Sequence, residues 1–92
     1  MDNITMYQNS IKLHNEINFC IAEAKKANQN VIWSKCNQSV SWCQNVRDDD
    51  IILWDAKDID PMGIYSNNPD IMTMVATIAQ FDPDGFNSYL NK

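Results

Sequence analysis

Residues 3–28 place Met6, Leu13, Ile17, Cys20, Ala24 and Ala27 along one stripe at three-, four- and seven-residue spacing. That period belongs to a helix; a strand alternates every second residue. Asp2 or Asn3 supplies the opening cap. The spacing therefore predicts one long N-terminal helix, around which the rest of a 92-residue chain must organise its core. Ile4, Tyr7, Ile11 and Ile21 widen the apolar arc beyond a single core face. The extra width predicts self-association as a homodimer. His14, beside this arc, is expected to pack or hydrogen-bond.

Residues 31–55 change period. Val40, Trp42, Gln44 and Val46 alternate, and Val31–Trp33 and Ile51–Trp54 are short β-favouring runs. Turn-prone Cys36-Asn37-Gln38 and Arg47-Asp48-Asp49-Asp50 separate them into a three-stranded antiparallel meander. Ile32, Cys36, Val40 and Cys43 also fit a helical stripe, so an all-α chain is the alternative.

The last third is punctuated by proline. Asp60-Pro61, Asn68-Pro69 and Asp82-Pro83 each set a capping side chain before Pro, a helix-start signal. The first begins only a turn, because Gly63 follows. The second opens a helix over 69–81 with Ile71, Met74, Val75, Ile78 and Phe81 inward; the third opens a short helix with Phe86, Tyr89 and Leu90. The expected fold is α+β, one acidic domain over residues 1–92 with a long N-terminal helix, a short sheet and two C-terminal helices.

Several function classes fall away. No apolar run is long enough to span a membrane, and Asp2 stands where an export signal needs a cation. Cys20, Cys36 and Cys43 make an odd set at irregular spacing, so reduced thiols are expected, at least two of them buried. One histidine and no CxxC or HxxxH pair leave zinc without ligands. Asp58-Ile59-Asp60-Pro61-Met62-Gly63 opens like a calcium loop, but Met62 and Pro69 stand where ligands are required. There is no nucleophile–base motif and no phosphate loop, so the chain reads as a binder that needs no metal or cofactor.

What remains is charge. The formal net charge is −5, yet residues 1–46 sum to +1 and residues 47–92 to −6. Within 48–84 lie nine Asp, namely Asp48, Asp49, Asp50, Asp55, Asp58, Asp60, Asp70, Asp82 and Asp84, against Lys57 alone. Self-repulsion of that density opposes folding. Asp60, Asp70, Asp82 and Asp84 meet positive helix ends, which accounts for four. The acids also recur as i, i+2 pairs at 48/50, 58/60 and 82/84, which in extended chain stand about 6.6 Å apart. Successive DNA phosphates along a strand are comparably spaced, roughly twice the axial rise. An acidic chain does not itself bind nucleic acid; it suits a basic DNA-binding protein, and the nine Asp are the candidate phosphate surrogates.

The opening MDNITMYQNSIKLHNEINF and the acidic VRDDDIILWDAKDIDP resemble the anti-restriction DNA-mimic proteins of T-even phages. The resemblance implies an early phage protein in the cytoplasm of the infected bacterium. It also implies inhibition of a host DNA-binding protein, either a McrBC-type restriction enzyme or the nucleoid protein H-NS. At −5 the chain is mildly acidic for that group, and a dimer would double the charge to −10.

Overall fold

The computed structural model describes residues 3–56 and 71–92. Helix α1 spans Asn3–Ala27, with Lys25 and Lys26 in its last turn, where cations meet the negative end of the dipole. It stops in a Schellman motif. Asn28 turns left-handed at φ 56°, Gln29 N–H donates to Ala24 C=O at 2.9 Å and Asn28 N–H donates to Lys25 C=O at 3.4 Å. Leu13, Ile17, Cys20, Ile21 and Ala24 are buried, so the stripe read from spacing is the core face, with Ile21 part of it. Met6 is half-buried and Ala27 exposed.

Strands β1 (Asn30–Ser34), β2 (Ser39–Cys43) and β3 (Ile51–Trp54) form one antiparallel sheet in the order β2-β1-β3. The α+β class is therefore as expected, but the strand order is not that of a meander, in which β2 would be central. Burial explains the difference. Every residue of β1 is buried, as a central strand requires, whereas β2 and β3 each keep residues toward solvent. Buried Asn30 fixes this order from its side chain. Its Nδ2 donates to Gln44 C=O at 3.3 Å just past β2, and its Oδ1 accepts from Ala56 N–H at 3.0 Å just past β3.

Helices α2 (Ile71–Phe81) and α3 (Pro83–Leu90) complete the described chain. α1 packs on β1 and β2, α2 packs on β3, and the three helices touch one another. In α2, Met74 and Ile78 are buried and Ile71 and Val75 pack beside them, but Phe81 is exposed and not inward as its spacing suggests. It is the last residue of the helix, beyond the turn that meets the core. The Asn68-Pro69 and Asp60-Pro61 starts and the calcium-like loop lie outside the described residues.

α3 is held by side chains more than by its length. Asp82 caps it, with Oδ1 accepting from Gly85 N–H at 3.2 Å and Oδ2 accepting from Trp33 Nε1 at 2.8 Å. Trp33 is fully buried and meets Tyr89 edge-on, ring centroids 5.9 Å apart. The Tyr89 hydroxyl donates to Glu16 at 3.0 Å, and Asn9 Nδ2 donates to Leu90 C=O at 2.9 Å, so α1 fastens the last turn at two points. Gly85 sits under the cap so closely that a Cβ would overlap the Asp82 carboxylate.

Two outcomes follow from this network. Asp82→Ala removes a cap and leaves a buried indole donor unpaired, and should lower unfolding free energy by about 2–4 kcal/mol in urea titration. Gly85→Ala should lower it by a similar amount, whereas Asp82→Asn, which keeps an acceptor, should cost less. Equal midpoints for Asp82→Ala and the parent would contradict the account.

The second outcome concerns alkali. Burial, then the hydrogen bond and charge of Glu16, hold the Tyr89 phenol above its usual range. Burial first and Glu16 second push the Cys20 thiol up to about 11. Both groups resist ionisation more in the folded chain than in the unfolded one. Stability should thus be level below their unfolded values, about 8.5 and 10, and fall as pH rises past them. Thermal melts from about pH 8 to 11.5 should show this decline, with the loss above about pH 10 shallower in Tyr89→Phe. A level profile to pH 11.5 would contradict it.

Candidate acidic interface

The best-defined acidic segment is the turn entering β3. Asp50 N–H donates to Arg47 C=O at 3.1 Å, and Asp50 Oδ2 accepts from Arg47 N–H at 3.0 Å. This double closure leaves Asp48 and Asp49 at the tip, both exposed, with Asp50 half-buried behind them. Asp50 also acts inward: burial first and its charge second raise the Cys43 thiol above its usual range. A turn of this kind uses Asp because a short carboxylate satisfies local backbone donors.

The structure sorts the six described aspartates of the nine candidates by environment. Asp48, Asp49 and Asp84 are exposed, and none has a Lys or Arg nitrogen of the described residues within 4 Å. Asp55 is half-buried and follows β3. It is separated from Asp50 by the strand, about 16 Å of extended chain. Asp82 is committed inward through both oxygens, to Gly85 and Trp33, so its role is structural and not that of a phosphate surrogate. Asp58, Asp60 and Asp70 lie outside the described residues.

Trp33 ties two acidic segments to one strand. Ile51, next to Asp50, is its neighbour in the sheet, and Asp82 is its hydrogen-bond partner. The extended spacing read from sequence does not hold at either described pair, however. Asp48 and Asp50 belong to a closed turn, and Asp82 and Asp84 to a helix start, because local hydrogen bonds outweigh charge repulsion at both places.

Other candidates are displaced. Only Cys20 is buried; Cys43 is half-buried and Cys36 exposed in the hairpin loop, so the expected two buried thiols reduce to one. His14 is exposed. Trp33 and Trp54 are buried in the core, which leaves Trp42 as the one tryptophan at the surface. Among the described residues no group of three His, Cys, Asp or Glu is placed to hold a metal ion, and no helix is long and apolar enough to cross a membrane.

One feature escaped the sequence reading. Phe19 and Trp42 meet edge-on at 5.8 Å and line an open groove of about 560 Å³ between α1 and β2, with Ile11, Lys12, Glu16 and Val40. Phe19 falls outside the predicted stripe; its apolar ring on the polar side of a helix was the available signal. Comparison of the chain with protein-family models, curated proteins and solved structures yields no match.

Asp48→Asn and Asp49→Asn should leave stability within about 0.5 kcal/mol of the parent, as for surface changes free of packing. Urea midpoints check this against Asp82→Ala; a loss as large as at Asp82 would show that the turn is structural.

Proposed function

We propose that this protein is an inhibitor that occupies the basic DNA-binding surface of a partner protein, with Asp48 and Asp49 as principal contacts and Asp50 and Asp84 contributing. The observation that carries this reading is the pair of exposed carboxylates at the tip of a hydrogen-bonded turn, neither of them ion-paired to a Lys or Arg among the described residues. Charge held on short side chains over a closed backbone loses little entropy on binding. It also steers a basic partner from a distance. Asp58, Asp60 and Asp70 add to the same sequence segment. The candidate partners are a McrBC-type restriction enzyme and H-NS, the bacterial cytoplasm is the place of action, and catalysis, metal and cofactor have no part in it. Two copies acting together would present −10.

A second reading is an acidic module that binds a basic protein surface without imitating DNA. The closed geometry at 48–50 and 82–84 favours it, since neither pair has the extended phosphate-like spacing.

The test common to both is charge deletion. Asp48→Asn, Asp49→Asn, Asp84→Asn together remove three rim charges, each worth about 0.2–1 kcal/mol. Affinity for the partner should fall about 3- to 160-fold, and the parent's affinity should fall steeply between about 50 and 200 mM salt. Unchanged binding by the triple variant would remove the acidic interface.

A further inference from the structure

The exposed apolar residues of the first half form one band. Ile4, Tyr7, Ile11 and Phe19 line the side of α1 away from its core stripe, and the groove joins Ile11 and Phe19 to Trp42 on β2. α1, at about 1.5 Å per residue, outruns a five-residue strand by about 20 Å, so the sheet cannot cover this length. Beside the band lies the open edge of β2, which pairs only with β1 among the described residues.

That edge lacks the usual protection. Ser39-Val40-Ser41-Trp42-Cys43 has no charge and no proline, and its register with β1 is unbroken, whereas β3 shifts register between Val31 and Ile32. Unguarded edges are templates for a further strand. We infer that the further strand is β2 of a second copy, paired antiparallel about a two-fold axis at Ser41 to give a six-stranded sheet. This deepens the proposed pairing of two copies and rests on that reading, while its seam is fixed by the edge and not by the acidic residues.

Two observations choose a second copy as the occupant. The first is self-complementarity, which a two-fold interface requires. Antiparallel pairing about Ser41 sets Val40 against the second copy's Trp42. Within the chain β1 and β2 already pair Val31 with Trp42 and Trp33 with Val40, so the new seam would repeat an existing Val–Trp match. The second is charge. Residues 3–46 hold Lys12, Lys25, Lys26 and Lys35 against Glu16 and Glu23, and the groove's own Lys12 and Glu16 cancel. Two chains of net −5 repel wherever the aspartates face each other, and least across this face.

The test is thiol trapping with mass measurement, in a Cys36→Ser background. Across an antiparallel pair Cα atoms lie about 4.5–5.5 Å apart, within disulfide range. Ser41→Cys should therefore oxidise to a covalent dimer, with Ile52→Cys on the opposite edge as the control that should not. Light scattering should give about 21 kDa for the parent, twice its 10.6 kDa. Trp42→Lys should return it to one copy with unchanged circular dichroism. If Trp42→Lys fails to fold, the milder Ser41→Cys readout still decides. A parent of 10.6 kDa at 100 µM would overturn both the edge and the pairing of copies. A dimer that traps through Ile52→Cys, or that Ile4→Lys with Tyr7→Lys dissolves while Trp42→Lys does not, would overturn the edge alone and leave the pairing. The Asn variants test the acidic interface separately.

Discussion

The hydrogen bond from the Trp33 indole to Asp82 joins the middle of the sheet to the start of the last helix. Trp33 is fully buried, so its N–H has no water to fall back on, and its acceptor is a cap that the helix already needs. An eight-residue helix is far too short to persist on its own. α3 exists because Asp82 fixes its first turn against β1, and because Tyr89 and Leu90 are fastened to α1 through Glu16 and Asn9. Gly85 is the concession this geometry demands, since only a residue without Cβ fits beneath the carboxylate. α1, the sheet and α3 are thus joined by half-buried polar contacts at the margin of the apolar core.

The same bond divides the aspartates. A chain with this density of negative charge is expected to employ some of it internally. Asp82 is consumed by the fold and one oxygen of Asp50 closes its own turn, while Asp48, Asp49 and Asp84 are left to solvent. The exposed acids lie on segments whose backbones are already closed by hydrogen bonds. None of the three is ion-paired among the described residues, and unpaired like charge costs self-repulsion. α1 and β2 have the opposite character, with Ile4, Tyr7, Ile11, Phe19 and Trp42 exposed on them.

Periodicity read the helices and strands well because their signals are local. The stripe from Leu13 to Ala24, the runs at 31–33 and 51–54, and Asp82-Pro83 at a helix start each express a short-range rule, and the elements stand at those places. Strand order was not legible. It depends on which strand is buried on both faces and on Asn30 reaching past both neighbours, neither of which spacing records. Asp82 was recognised as a cap, but its bond to Trp33 spans 49 positions and leaves no local trace. The acidic segment itself was plain from composition. Its geometry was not, because turn closure by Asp50 and capping by Asp82 replace the extended spacing that charge alone suggests. Phe81 and Phe19 show the limit of an apolar pattern, which marks residues that prefer burial without saying whether the fold has room for them.

The claim that the acidic surface stands in for DNA is tested most directly by competition on one partner. Fluorescent duplex DNA bound to H-NS, or to the DNA-binding part of a McrBC-type enzyme, is titrated with the protein while anisotropy is followed. The account predicts complete displacement, with the midpoint rising in proportion to DNA concentration, as mutually exclusive binding requires. A stable ternary complex, or displacement that saturates short of completion, would contradict it.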